Sequence, residues 1–260
     1  MKVTILGARG SVPTDGAEML EYGGATSCVL IETETDAIVL DAGTGIQRVP
    51  EMPEKSLSVL FTHMHIDHLV GLPFLPSLSQ RGRRIDLYGE SRFGFSLQEQ
   101  LMKLFSPPFW PLPLKDYPAD TVFHDLEGPL SIGDLKVTYM GSNHPGGGTI
   151  FKVQHEDRSL VYATDYEHDI RCDQKLIDFA KDTDLLFYDA QYTEEEFAGR
   201  RGFGHSTVAM GLKILEESGA KAMRFVHHDP RHTDEMLRAM EEKVADDNIA
   251  FAREGEVILL

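Results

Sequence analysis

The chain has 260 residues, of which 42% are hydrophobic and 26% are charged. This balance is ordinary for a soluble globular protein, and no apolar run approaches the roughly 18 residues of a membrane span, so we expect no membrane association. The formal charge of −17 makes nucleic acid an unlikely general partner, because phosphate backbones are bound by local clusters of Lys and Arg.

The N-terminal residues MKVTILGARG lead directly into a strand-like pattern, without the basic and apolar segments of an export signal. The only two cysteines, Cys28 and Cys172, are too few for a disulfide framework and are not spaced as a thiolate metal site. We therefore expect a single domain over residues 1–260 and a cytoplasmic location.

Short runs rich in β-branched residues, bounded by Gly, Asp or charged turns, predict strands in both halves of the chain. In chain order they are KVTILG, TSCVLIET, AIVLDAG, LSVLFTH, RIDLYGE, LKVTYMGS, GTIFKVQHED, RSLVYATD, DLLFYDA and AMRFVHH. Several of them end in polar residues, so the chemistry is expected at strand ends.

Residues 61–73, FTHMHIDHLVGLP, place three histidines and an aspartate within six positions at the end of an apolar run. Strand alternation puts His63 and His65 on one side, and a tight turn can bring Asp67 and His68 back toward them. Imidazole and carboxylate donors without thiolates suit Zn²⁺, with Mn²⁺ or Fe²⁺ as alternatives. Four such groups so close together indicate two divalent ions.

The segment at 106–118, SPPFWPLPLKDYP, contains five prolines and several apolar side chains, so it is predicted to be a loop. It is either a lid or pocket wall over an active site, with Phe109 or Trp110 stacking on a base, or a packed connector or dimer contact.

Helical periodicity is clearest in TVAMGLKILEESG, where Val208, Leu212 and Leu215 share a face and Gly219 is the expected stop. A second helix is predicted from the N-cap Thr233, with Met236, Met240 and Val244 recurring every four residues. QKLIDFAKD is a shorter candidate.

The segment HMHIDH fits the HxHxDH motif and resembles the metallo-β-lactamase fold superfamily. LDAGTG at 40–45, NHPGG at 143–147, YATD and FVHHDP follow the order and approximate spacing of that family over almost the whole chain. The fold expected from the strand pattern and this resemblance is an α/β, four-layer αββα sandwich.

The resemblance also implies the metal ligands. They are His63, His65 and His144 for one ion, Asp67, His68 and His227 for the other, and Asp165 as the bridge. His228 stays an alternative to His227, which directly follows the strand-like RFV. Asp41 is expected to orient His63 or His65 rather than to bind metal.

Two cations about 3.5–4 Å apart can share a nucleophilic hydroxide and stabilise both oxygens of a displacement at phosphorus. The fold alone does not separate this reaction from lactone or thioester hydrolysis. GHST at 204–207 resembles phosphodiesterase branches that include tRNA 3′-processing nucleases and cyclic-phosphate hydrolases. His205 is therefore the predicted general acid, with a helix cap as the alternative, and Asp67 is the second catalytic candidate. The glycine-rich opening GARGSVP gives Arg9 and Ser11 no assigned role.

We expect a hydrolase that cleaves a small phosphodiester, such as a cyclic nucleotide or a cyclic ribose phosphate, through the metal-bridging hydroxide. An RNA-processing endonuclease of the tRNase Z type is one alternative. It is disfavoured because the inserted segment at 106–118 has a single Lys and does not resemble a basic RNA-gripping arm. A lactonase or thioesterase is another alternative, and a homodimer is compatible with the sequence.

Overall fold

The computed structural model describes residues 1–244 and 246–260. The strands of the described chain are β1 Lys2–Gly7, β2 Cys28–Glu32, β3 Asp36–Leu40, β4 Ser56–Leu60, β5 Arg84–Gly89, β6 Asp120–Asp125, β7 Leu130–Ile132, β8 Leu135–Ser142, β9 Gly148–His155, β10 Arg158–Ala163, β11 Leu185–Asp189, β12 Met223–Val226, β13 Ile249–Phe251 and β14 Val257–Leu259. The α-helices are α1 Leu97–Leu104, α2 Ile170–Phe179, α3 Glu194–Ala198, α4 Val208–Ser218 and α5 Asp234–Glu241.

The strands form two sheets, in the orders β14-β1-β2-β3-β4-β5-β6 and β13-β12-β11-β10-β9-β8-β7. Buried apolar side chains from both sheets, such as Ile31 and Phe187, share one core cluster between them. Leu97 and Leu101 of α1 pack on the outer face of the first sheet. Leu176 of α2, with side chains of α4 and α5, packs on the outer face of the second sheet. The predicted four-layer αββα architecture is confirmed.

The central strands are buried on both faces because each sheet is covered by helices on one side and by the other sheet on the other. Every residue of CVLIE in β2, DAIVL in β3 and LLFYD in β11 is buried. Such nearly continuous apolar runs are typical of strands in layered α/β proteins.

The direction of the strands decides where the polar strand ends meet. Strands β3 to β6 are mutually parallel, as are β10 to β13. Strand β8 has the same direction as β10, because β9 is antiparallel to both. In open sheets ligands bind outside the carboxyl ends of such strands. Asp41, His63, His144, Asp165 and His227 all follow such ends.

The predicted helix after His205 is α4, with Thr207 as its N-cap and Gly219 at φ 68° as its left-handed C-cap. The helix after Thr233 also forms, but α5 ends at Glu241 and Val244 lies in the turn beyond it. Helix α1 was not predicted, although Ser96 and Glu99 form the reciprocal capping box that marks a helix start.

The segment at 106–118 is irregular apart from one 3₁₀ turn, Leu114–Asp116. Trp110 packs edge-on against Phe74 and Phe105, and its indole N–H donates to the Tyr117 hydroxyl at 3.2 Å. Leu114 is fully buried in the same cluster. These contacts support the packed-connector interpretation of this segment.

The helices formed by residues 1–244 and 246–260 all lack the length or the apolar character that a membrane span requires.

Candidate metal centre

The first group of donor atoms comes from three histidines. His63 and His65 follow β4, and His144 follows β8. His144 Nε2 lies 3.1 Å from His65 Nδ1. His63 Nε2 and His144 Nε2 each lie 3.8 Å from Oδ1 of Asp165. These nitrogens are close enough to share one cation.

The second group combines Asp67, His68 and His227. Asp67 Oδ2 lies 3.3 Å from His68 Nε2 and 3.2 Å from His227 Nε2. Asp165 stands between the two groups, with Oδ2 3.1 Å from His68 Nε2 and Oδ1 3.3 Å from His227 Nε2. The structure therefore brings together all seven residues that the sequence predicts as ligands, with Asp165 between the two groups.

The hydrogen bonds of the histidines fit metal binding. Four of the histidines donate a hydrogen bond from Nδ1–H to a protein acceptor: His63 at 3.0 Å, His68 at 2.8 Å, His144 at 3.0 Å and His227 at 3.2 Å. Each Nε2 is thereby left to face the cluster, and in the described chain Nε2 of His63 is buried without any hydrogen-bond partner. Buried polar atoms are rarely left unpaired, so this nitrogen fits a cation.

The electrostatics of the second group favour positive charge. Burial opposes a charged His68, but the carboxylates of Asp165, Asp67 and Asp41 raise its pKa well above the usual range. In the same way burial lowers the pKa of His227, and Asp165 leads the carboxylates that raise it to about 9. A site whose ionised carboxylates favour protons on the neighbouring imidazoles is also one that attracts divalent cations.

Asp41 forms hydrogen bonds that orient His68 directly and His63 through Thr62. Its Oδ2 accepts from His68 Nδ1, and its Oδ1 accepts from the Thr62 backbone N–H at 2.8 Å. The Thr62 hydroxyl donates to the same carboxylate and accepts from His63 Nδ1. The expectation that Asp41 orients His63 or His65 needs correction, because it contacts His68 directly and reaches His63 only through Thr62.

Two glycines allow loops to approach the histidines. A Cβ on Gly10 would lie 2.2 Å from Nδ1 of His227. Gly204 has φ 95°, and a Cβ there would lie 2.0 Å from Nδ1 of His144. The Gly204 carbonyl accepts the hydrogen bond of that same Nδ1. These two positions have no room for a side chain.

Gln191 and Ser11, for which no role was predicted, connect His227 and Asp67 of the second group through hydrogen bonds. Gln191 Oε1 accepts from His227 Nδ1, and its Nε2 donates to the Ser11 hydroxyl at 3.0 Å. The backbone N–H of Ser11 donates to Oδ2 of Asp67 at 2.8 Å. Contacts between residues 180 positions apart leave no local sequence signal.

His205 lies beside both ligand groups, stacked on His227 with ring centroids 4.7 Å apart and edge-on to His144 at 5.3 Å. Its Nδ1–H donates to Oδ2 of Asp189 at 2.8 Å. Asp189 was missed. It ends β11 at the same edge as Asp165, so the polar end of DLLFYDA was the available signal.

His228 and Arg9 point away from the cluster. His228 Nε2 donates to the Ala252 carbonyl at 3.0 Å, its ring stacks on Phe251, and burial lowers its pKa to about 3. Arg9 is fully buried and donates to the carbonyl oxygens of Gly23, Asp229 and His232. Arg9 therefore joins loops behind the site.

A cavity of about 410 Å³ adjoins the first ligand group. Its wall includes His65, Met64, Phe93, Phe95, Lys103 and Gly146, and no residue of the segment at 106–118 contributes to it. It is of the size that holds small organic ligands.

Comparisons with known proteins match the chain to a family and to a relative of similar length. The family model described as "Beta-lactamase superfamily domain" matches residues 36–228. A Ribonuclease Z of Streptococcus pyogenes is 25% identical over 289 residues, an alignment that covers 89% of this chain and 92% of the relative.

Two solved structures share the fold over nearly the full chain. The metallo-beta-lactamase fold protein YhfI from Bacillus subtilis has a TM-score of 0.73 and 21% identity, covering 99% of this chain and 98% of its own. A diphosphatase from the PhnP family has a TM-score of 0.72 and 17% identity, covering 100% and 97%. The match of the family model over residues 36–228 confirms the predicted superfamily resemblance.

Proposed function

Because the chain belongs to the beta-lactamase superfamily domain family, we propose that it is a metal-dependent hydrolase of a small phosphodiester, such as a cyclic nucleotide or a cyclic ribose phosphate. The observation that carries this proposal is the His205–Asp189 pair beside the two ligand groups, since a phosphodiester needs a proton donor for its leaving oxygen.

The proposed ligands of the two ions are His63, His65 and His144 in one group, Asp67, His68 and His227 in the other, and Asp165 between them. Nitrogen and oxygen donors without sulfur favour Zn²⁺, with Mn²⁺ or Fe²⁺ as alternatives. Bound divalent ions supply Lewis acidity and lower the pKa of water toward neutrality, which provides the nucleophile.

His205 is the proposed general acid. Asp189 fixes Nδ1 as the protonated nitrogen and stabilises a charged imidazolium, so Nε2–H can donate to the leaving alkoxide. His205 is only 8% exposed, which limits competition from bulk water for this proton. Stacking on His227 holds its ring at the edge of the cluster.

A small substrate fits the charge of the protein. The net charge of −17 repels extended polyanions, and the inserted segment at 106–118 carries a single lysine. A diphosphatase from the PhnP family has the same fold, which supports a substrate that contains phosphorus.

An RNA-processing endonuclease is the second candidate. Similarity to Ribonuclease Z over 89% of the chain is the observation that favours it. The two candidates share the proposed centre and differ in the size of the substrate.

The decisive experiment compares kcat/KM for the metal-loaded protein on 2′,3′-cyclic and 3′,5′-cyclic nucleotides, a chromogenic diester, a lactone and a precursor tRNA. We expect a small diester to be the best substrate. A tRNA cleaved far faster than every small diester would replace this proposal with the endonuclease. A lactone that outpaces all diesters would exclude phosphodiesters as the main substrates.

A further inference from the structure

We propose that the cavity beside His65 is a nucleobase subsite, in which Phe93 stacks on the base of the diester that is cleaved at the adjacent centre. This inference rests on the proposed phosphodiesterase function and names its substrate class as nucleotides.

Phe93 lies in a turn whose backbone conformation favours Asn or Gly over an aromatic residue. The N–H groups of Arg92 and Phe95 donate to each other's carbonyls at 3.0 and 2.9 Å, which closes a two-residue turn. Phe93 and Gly94 have φ of 55° and 78°, the pattern of a type I′ turn that favours Asn-Gly. An aromatic residue in this left-handed conformation is strained.

Burial does not compensate for this strain, because the Phe93 side chain is 79% exposed. Hydrogen bonds of the Gln100 and Arg92 side chains fix the position of the turn. Gln100 of α1 donates from Nε2 to the carbonyls of Glu90 and Phe95 at 3.0 and 3.1 Å. Arg92 donates to Thr149 Oγ1 at 2.9 Å and pairs with Glu90. An exposed aromatic ring on a rigid, strained turn fits a ligand contact better than a structural role.

The Phe93 ring lies close to the first ligand group. A Cβ on Gly146 would lie 3.6 Å from Cζ of Phe93 and 4.0 Å from Nε2 of His65. Gly146 belongs to the loop that carries His144. A group esterified to a phosphoryl at the first ligand group can therefore reach the Phe93 ring.

The charge of the cavity indicates the ligand class. Lys103 Nζ lies 2.8 Å from the centroid of the Phe95 ring, and in the described chain it forms no salt bridge. The described lining also contains Arg92, whose charge is paired with Glu90, and no carboxylate, although the protein as a whole is acidic. Aromatic and apolar walls beside the Lys103 cation complement a flat base joined to a phosphate.

The test uses two substrates with the same reacting group, a nucleoside 2′,3′-cyclic phosphate and the methyl riboside 2′,3′-cyclic phosphate that lacks the base. We expect the wild type to prefer the first. Phe93→Asn suits the turn and removes the ring. It should reduce the ratio of the two kcat/KM values by roughly 5- to 150-fold, the equivalent of about 1–3 kcal/mol for base stacking.

Phe93→Tyr should retain the preference. Phe109→Asn is the matched control, because Phe109 is also exposed, at 74%, but does not line the cavity. Calorimetric titration with the nucleoside monophosphate product gives a readout independent of turnover, and only Phe93→Asn should weaken its binding. The melting temperature of Phe93→Asn should equal or exceed that of the wild type.

Equal kcat/KM for both substrates in the wild type would overturn the subsite and leave the phosphodiesterase proposal standing. An unchanged preference and unchanged product binding in Phe93→Asn, with a lower melting temperature, would make Phe93 a structural residue. Failure of the wild type to cleave these two substrates, the 3′,5′-cyclic nucleotides and the chromogenic diester would overturn the proposed function itself, and the inference with it.

Discussion

The carboxylate of Asp41 accepts a hydrogen bond from Nδ1 of His68 at 2.8 Å, and both side chains are fully buried. The same carboxylate accepts from the Thr62 backbone N–H. Asp41→Asn replaces one acceptor oxygen by an NH₂ group, so either Thr62 or His68 loses its acceptor. We expect metal affinity to fall roughly 10- to 100-fold, as for other partners of metal-binding histidines.

Competitive zinc titration measures this loss. Asp86→Asn is the matched control, since Asp86 lies 2.7 Å from His124 Nε2 in a carboxylate–histidine pair outside both ligand groups. Equal metal affinity in Asp41→Asn and Asp86→Asn would contradict an orienting role for Asp41.

Removal of a ligand and removal of the proton donor should have different signatures. Asp67→Ala deletes the carboxylate that lies between His68 and His227, so we expect loss of metal and of nearly all turnover. His205→Ala should keep the metal content and lower kcat by roughly 10²–10⁴-fold. Elemental analysis and single-turnover kinetics on both variants test the contrast. Loss of metal from His205→Ala would make His205 a ligand or a ligand's support.

Asp189→Asn tests the proposed general acid, His205, by changing the acceptor of its Nδ1–H hydrogen bond. An amide that donates to Nδ1 of His205 stabilises the other tautomer of the imidazole and withdraws the charge that supports the imidazolium. We expect kcat to fall by roughly 10²-fold or more, while zinc content stays near that of the wild type. The double variant with His205→Ala should be no slower than His205→Ala alone. An additive loss in the double variant would show that Asp189 acts by another route.

The motif HMHIDH could be predicted because its four donors are local in sequence and one turn, Ile66–His68, brings them together. His144, Asp165 and His227 required the family resemblance, since only strand direction places their distant strand ends at one edge. Gln191 and Ser11 join through a tertiary hydrogen bond that periodicity cannot reveal. For the segment at 106–118 the structure favours the packed-connector alternative, because the segment buries Leu114 and packs Trp110 against Phe74 and Phe105.

Trp110→Ala should therefore affect stability rather than substrate binding. The half-buried indole contacts Phe74 and Phe105 and donates to Tyr117. We expect the free energy of unfolding to fall by about 2 kcal/mol, less than for a fully buried aromatic residue. Chemical denaturation measures the loss, and KM for nucleotides should stay within twofold of wild type. A large rise in KM at unchanged stability would return this segment to the substrate site.

Alanine substitutions at Gly202 and Gly204 separate backbone strain from steric displacement of a ligand. Gly202 and Gly204 have φ of 86° and 95°, and the N–H groups of both donate to the carboxylate of Glu167. Alanine at either position meets a backbone conformation that costs about 1–2 kcal/mol for an L-residue. A Cβ at Gly202 contacts nothing within 4 Å, whereas one at Gly204 collides with His144.

In the metal-free state Gly202→Ala should therefore lose only the cost of backbone strain, and Gly204→Ala should lose more stability because the collision with His144 is added, as measured by denaturation in the presence of a chelator. Only Gly204→Ala should weaken zinc binding, by roughly 10- to 100-fold, because it displaces both His144 and the carbonyl that accepts from its Nδ1. Because bound metal stabilises the folded state by mass action, Gly204→Ala should also gain less in melting temperature from added zinc than Gly202→Ala. Equal zinc affinities in the two variants would show that the loop carrying Gly204 does not hold His144 in place.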